Sequence, residues 1–242
     1  MKPLFCALFF LCSSIISYSQ YISNSSRSAF DNGSLPSAIS FDIQKNGEKQ
    51  PYTETIIDGK PVAGFPYIFY DWVMGSILLK DGKYYNGYKL KYDIYGQTIL
   101  FLDGNKTLEV EGGDVKEFTL TSKDGKEMNF INANNLKKGR ASLYYQILAD
   151  AKGGLLLKSY RKVIAKTINQ IVDVQSTKYL EIETKFLYFN KNEKKLSSLN
   201  GEQDLLKAFD INKEKAEELR ISNYQFEKEA DLVAFFNTFF KS

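Results

Sequence analysis

Two short stretches of this chain pair residue types that can make and break covalent bonds. Ser159-Tyr160-Arg161-Lys162 has the Ser-x-x-Lys spacing of serine acyltransferases such as penicillin-binding proteins, where the lysine must sit beside the serine. Glu181 and Glu183 supply two carboxylates, the minimum for acid–base cleavage of a glycosidic bond. Neither pairing suits its chemistry. Ser159 and Lys162 fall in an apolar and basic run, 155–166, that reads as a strand, where positions i and i+3 point to opposite sides. No Ser-Asp-Asn or Lys-Thr-Gly segment accompanies them. Glu181 and Glu183 alternate with Leu180, Ile182 and Thr184, as charges on a wet outer face do.

The wider inventory also points away from catalysis. The chain has no histidine, and its two cysteines are Cys6 and Cys12. Lys2, the apolar run from Leu4 to Ile16 and the small-residue end Ser17-Tyr18-Ser19 read as a secretory signal peptide, cleaved between Ser19 and Gln20. Cys12 lies inside the apolar run rather than closing it, which argues against a lipid-acceptor role. Both cysteines therefore leave on export. The exported chain then carries neither thiol nor imidazole, the groups behind most nucleophilic, general-base and transition-metal chemistry. Asp-Gly pairs at Asp58, Asp81, Asp103 and Asp124 lack the alternating aspartates and distal glutamate of a calcium loop. No metal, no cofactor and no catalytic residue is expected.

Charge and hydropathy narrow the partners. Lys and Arg number 32 against 29 Asp and Glu, and the signs are interleaved. A nucleic-acid partner is not expected, because phosphate neutralisation needs a concentrated basic face. No stretch reaches the roughly 18 apolar residues of a transmembrane helix, so none is expected in the exported chain. What stands out is an aromatic cluster: Phe65, Tyr67, Phe69, Tyr70 and Trp72, followed by Tyr84, Tyr85, Tyr88, Tyr92 and Tyr95. Tyr and Trp join an apolar body to a polar tip, which suits sugar faces, peptides and protein interfaces. Tyr67, Tyr70 and Trp72 are the candidate ligand-binding residues. Strand packing alone also accounts for such aromatics.

The elements that must position these rings are strands. Turn dipeptides at Asp81-Gly82, Asn86-Gly87, Asp103-Gly104, Gly112-Gly113 and Asp124-Gly125 favour the positive φ of tight hairpins. Between them, Leu90, Tyr92 and Ile94 alternate with Lys89, Lys91 and Asp93, so one face is buried and one is wet. Val115 to Thr121 repeats the pattern less cleanly, and Leu180, Ile182, Thr184, Phe186 and Tyr188 repeat it against Glu181, Glu183 and Lys185. Further strands are expected at Ser76–Lys80, Thr98–Leu102, Leu143–Ala149 and Leu155–Val163. After Asn200 the period changes. Asn200 with Gln203 reads as a helix cap, a second helix is expected from Asn212 to Arg220, and Leu232, Val233, Phe235, Phe236, Phe239 and Phe240 form a wide helical stripe. Such a stripe either docks on the β-structure or waits for a partner.

The expected organisation is a signal peptide over 1–19, a polar and mobile leader over 20–60, an antiparallel β domain over 61–199 and a helical segment over 200–242. The leader holds one apolar alternation, at Ile39, Phe41 and Ile43. The fold class is mainly β (α+β). It is a curled antiparallel meander, open or partly closed into a barrel, with two or three short C-terminal helices.

The runs Gly64-Phe65-Pro66-Tyr67, Asp71 to Lys83 and Leu90 to Tyr95 carry a resemblance. With the pattern Trp-x-x-Gly-x-x-x-Leu-Lys-Asp-Gly-Lys starting at Trp72, Leu143 to Leu148 and the tail from Leu205 to Phe240, the chain resembles a broad group of secreted Bacteroidota proteins of unknown function. The resemblance covers most of the exported chain and rests on strand and turn patterns. It implies export and a shared fold, and no site residue.

The expected function is that of an exported, non-catalytic binding or structural module of the cell envelope, in the periplasm, on the outer surface or secreted. It would contact a protein or glycan through Tyr67, Tyr70 and Trp72 or a strand edge. One alternative is a carrier whose curved sheet encloses a small apolar ligand, with Leu90, Tyr92 and Ile94 lining a cavity. Another is a hydrolase built on carboxylates.

Overall fold

The computed structural model describes residues 54–57, 60–110, 114–136, 143–166 and 178–241. Among these residues twelve strands make one sheet. They are β1 (Glu54–Ile57), β2 (Lys60–Ala63), β3 (Val73–Leu79), β4 (Tyr84–Asp93), β5 (Thr98–Asp103), β6 (Lys106–Val110), β7 (Val115–Thr121), β8 (Glu127–Asn132), β9 (Tyr144–Ala151), β10 (Gly154–Lys166), β11 (Lys178–Asn190) and β12 (Lys195–Leu199). Their order is β1-β2-β11-β10-β9-β8-β7-β3-β4-β5-β6, with β12 also against β11. Every ladder is antiparallel except the single parallel contact between Tyr179 and Ala63. The mainly β reading therefore holds. Among the described residues strand structure is already present at Glu54–Ile57, ahead of the boundary expected at 61. Ser19, Gln20, the Ile39 alternation, Asp58-Gly59 and Gly112-Gly113 lie outside the described residues.

The chain is not one continuous meander. β3 to β6 form one run and β7 to β11 a second, and the second starts beside β3 rather than beside β6. Burial explains the choice, since β3 is nearly continuously buried and needs a neighbour on each edge. Gly75 permits the close packing: a Cβ there would lie 2.3 Å from the Thr119 carbonyl oxygen and 2.7 Å from Leu90 Cδ1.

Three of the expected turns are present, with Gly82, Gly104 and Gly125 at φ 88, 57 and 81°. Asn86-Gly87 is different. It lies within β4, where the register against β3 slips by one residue and Gly87, at φ 80°, is the extra one. A β-bulge satisfies the same preference for positive φ without reversing the chain.

Leu90, Tyr92 and Ile94 are buried as their alternation requires. With Phe118, Phe130 and Tyr144 they fill the inside of the curled sheet, and the Tyr92 ring lies 5.2, 5.4 and 5.8 Å from those three rings. The curl brings β10 back toward β4, and the Lys162 N–H donates to the Ile94 carbonyl at 3.1 Å. This is a point contact. No strand ladder among the described residues closes the sheet, so the partly closed barrel is not formed.

β11 departs from the expected alternation. Leu187, Tyr188 and Phe189 are all buried, while Ile182 is exposed. The cause is uneven cover. Leu187 and Phe189 pack with Tyr145, Leu155 and Leu157 on one face, and Tyr188 packs under the C-terminal helices on the other. Farther along, β9 pairs only with Gly154–Ser159 of β10, so the distal parts of β10 and β11 project beyond it as a two-stranded ribbon.

The helices are α1 (Ala133–Leu136), α2 (Glu202–Ala208), α3 (Lys213–Glu218) and α4 (Glu229–Phe239), with a 3-10 turn at Ile221–Asn223. α3 starts as expected, the Asn212 side chain accepting from the Lys215 N–H at 2.9 Å. The expected Asn200–Gln203 cap is instead an Asn200–Asp204 pair, in which the backbone N–H and Nδ2 of Asn200 both donate to the Asp204 carboxylate. The phenylalanine stripe is docked. Leu232, Phe235 and Phe236 are buried against Leu156, Tyr188 and Leu199, and Tyr188 stacks on Phe209 at 4.2 Å.

Candidate functional site

The segment 64–72 between β2 and β3 carries the expected binding residues, and backbone hydrogen bonds lay it along the end of β4. The Ile94 N–H donates to the Pro66 carbonyl at 2.9 Å, and the Ile68 N–H donates to the Tyr92 carbonyl at 3.0 Å. Tyr67 is thereby bridged to Asp93. Residues two apart share a strand face, so Lys91 stands beside Tyr67. Its Nζ lies 4.6 Å from the Tyr67 ring centroid and 5.2 Å from that of Trp72. Two of the three candidate rings thus clamp a lysine of the same chain, and the ring faces it covers are committed to it.

Burial shapes the electrostatics here. It holds the Lys91 ammonium below its ordinary value, with Asp71 working in the opposite direction, and Asp71 is itself ion-paired to Lys123. Burial also pushes the Tyr67 hydroxyl up, helped by the charge of Asp93. The Asp93 carboxyl is raised by burial, against hydrogen bonds from the Gly96 and Tyr95 N–H groups.

Tyr70 is placed differently. Its ring meets Phe65 edge-on at 5.6 Å, and the Phe65 ring carries the Lys162 Nζ at 5.3 Å on its other contact. Lys162 belongs to the ribbon, directly across from Ile182, and Ile164 follows two positions along the same face. Gly64 backs onto Leu180, a Cβ at Gly64 falling 3.5 Å from Leu180 Cβ. Tyr70, Phe65, Ile164 and Ile182 therefore border one surface, with Tyr70, Ile164 and Ile182 exposed to 43, 38 and 47%. Lys162 sits within it, held below its ordinary value by burial and without an ion-pair partner among the described residues.

The covalent candidates are separated. Ser159 Oγ donates to the Lys185 carbonyl at 3.4 Å, whereas Lys162 turns to Phe65 on the other face of β10. Glu181 and Glu183 are exposed across from Val163 and Arg161. Among the described residues no group of three or more Cys, Asp or Glu side chains could hold a metal ion, and no helix is long and apolar enough to cross a membrane.

Of the expected binding residues this surface contains Tyr70, and beside it stand Ile164, Ile182 and Lys162, which were not among them. By alternation alone Ile182 belongs to the inner face and Lys91 to the wet one. The placement of Lys162 and Ile182 depends on the ribbon crossing the segment 64–72, a contact between residues about a hundred positions apart that local spacing does not encode, whereas Lys91 is placed by the pairing of that segment with the end of β4. No protein-family model, curated protein or solved structure matches the chain.

Proposed function

We propose that the protein is an exported, non-catalytic binding or structural module of the cell envelope, contacting a protein or glycan through the surface of Tyr70, Ile164 and Ile182. The observation that carries this reading is the exposure of Ile164 and Ile182 on the ribbon and of Tyr70 on the segment that the ribbon crosses, around the Lys162 ammonium, which has no ion-pair partner among the described residues. Adjoining apolar side chains left in water cost free energy that a partner recovers on covering them. The signal-like start and the strand-and-turn likeness to secreted Bacteroidota proteins support export. The packing of Leu90, Tyr92 and Ile94 against aromatic rings favours a surface role over a carrier role. Capture from envelope extract with the wild-type chain and a Tyr70→Ala, Ile182→Asp variant tests the reading. Partners retained by the wild type should be lost by the variant at unchanged melting temperature. Equal capture by both proteins would remove this surface from consideration.

A further inference from the structure

We propose a second binding site, independent of that surface, in the groove between the β11–β12 turn and the C-terminal ends of α2 and α4, and assign it to a neutral saccharide. The groove has a volume of about 400 Å³, within the range of small-ligand sites. Tyr188, Phe209, Phe239 and Phe240 underlie it, the first two buried and the last two half-buried, so they give it shape but little open apolar surface. Its rim is polar, with Asn190 and Asn192 beside the charged Glu193, Lys195, Lys207 and Asp210.

Three properties of this lining select the ligand class. The rim charges cancel, two ammonium groups against two carboxylates, so neither an anion nor a cation is favoured overall. None of the four is ion-paired to another described residue, which leaves donors and acceptors open around one opening. A sugar hydroxyl both donates and accepts, and can use either kind of group. Most of the accessible lining is polar, with Phe239 and Phe240 only half-buried beneath it, which suits a ligand covered in hydroxyls better than an apolar one.

The groove is also fixed in shape. Asn190 Oδ1 accepts from the backbone N–H groups of Asn192 and Glu193, at 3.0 and 3.1 Å, which sets the turn at the rim. The remaining amide N–H bonds of Asn190 are donors. Phe240 lies so close over Gly153 that a Cβ there would come within 2.5 Å of its ring, and Tyr188 covers Gly154 in the same way at 2.3 Å. The two glycines let both rings sink to floor level, where larger residues would lift them into the groove.

The test is saturation-transfer NMR and calorimetry on the chain 20–242 with neutral tetrasaccharides of glucose, mannose and N-acetylglucosamine, and tetragalacturonate as the charged comparison. At least one neutral tetrasaccharide should bind saturably and more tightly than tetragalacturonate. Its affinity should fall about tenfold or more, roughly 1.4 kcal/mol or more, in Asn192→Ala with Lys207→Ala, and again in Ala208→Trp, which fills the groove. The first variant changes exposed side chains, so it stays informative if Ala208→Trp does not fold. Tyr70→Ala with Ile182→Asp should leave sugar affinity unchanged, which separates this site from the other surface. Absence of saturable binding by every neutral sugar, preference for tetragalacturonate, or unaltered affinity in both groove variants would each overturn the assignment.

Discussion

Asp93 is the residue on which the local electrostatics of the aromatic segment turn. It bridges Tyr67, accepts from the Tyr95 and Gly96 N–H groups at 2.8 Å each, and adds to the upward push on the Tyr67 hydroxyl and the Glu109 carboxyl. Burial keeps its own carboxyl above the ordinary value of 3.8. In the folded chain it therefore holds its proton to higher pH than in the unfolded chain. The sign follows from proton counting: as pH rises from 3.8 through the raised value, the unfolded state has already released the proton and the folded state loses relative stability. Above that window the penalty is constant. Asp93→Asn keeps the carbonyl oxygen that accepts both N–H bonds and removes the buried charge. Its unfolding free energy, measured by urea titration, should exceed the wild type's at neutral pH, with the gap closing as pH falls toward 3.8. A variant weaker than wild type by the same amount at all pH values would show that hydrogen-bond geometry outweighs charge here.

Among the elements, α4 shows how a surface stripe becomes a second core. Its Phe236 is buried beside Phe240 and Tyr188, with ring centroids at 4.7 and 6.4 Å, and Leu232 and Phe235 are buried with it. Phe236→Ala should cost about 3–5 kcal/mol, read by chemical unfolding, because the lost ring leaves a cavity that surrounding aromatics only partly close. The same variant should bind an apolar dye more strongly as the helix loosens over Leu156 and Tyr188. The stripe was legible because a helix buried on one side leaves a 3.6-residue period, as β4, buried on one side, leaves a period of two. β11 was not legible, since its proximal end is buried on both faces and its distal end is covered on neither in full. Asn86-Gly87 was ambiguous for another reason: bulge and turn require the same backbone angle. The Tyr70 surface was half legible. Its aromatic half follows from residue type, while Ile164 and Ile182 join it only through the path of the ribbon.

At the scale of the molecule, one side chain bonds to both sides of the seam where the open sheet curls back on itself. β10 and β4 are separated in the sheet by β9, β8, β7 and β3, yet the Lys162 N–H reaches the Ile94 carbonyl. Gln97 secures the approach. Its Nε2 donates to the carbonyls of Ile94 and Tyr160 at 3.0 and 3.1 Å, and its Oε1 accepts from the Tyr92 hydroxyl at 2.6 Å. The residue does so from a left-handed backbone, φ 58°, which few side chains tolerate. Gln97→Asn separates backbone from reach, because asparagine accepts that conformation and is one methylene too short to span all three partners. The variant should lose about 2 kcal/mol of stability, since the buried Tyr92 hydroxyl loses its acceptor and the Ile94 and Tyr160 carbonyls each lose a donor. Hydrogen exchange should quicken at the Lys162 N–H and stay unchanged in α4. The same opening bears on function. Phe65 and Tyr70 belong to the β4 side of the seam and Ile164 and Ile182 to the β10 side, so loosening it divides the proposed surface without altering any residue in it. Partner capture by Gln97→Asn should fall toward that of Tyr70→Ala with Ile182→Asp. If exchange at Lys162 accelerates while capture stays at the wild-type level, the two sides of the seam do not act as one surface.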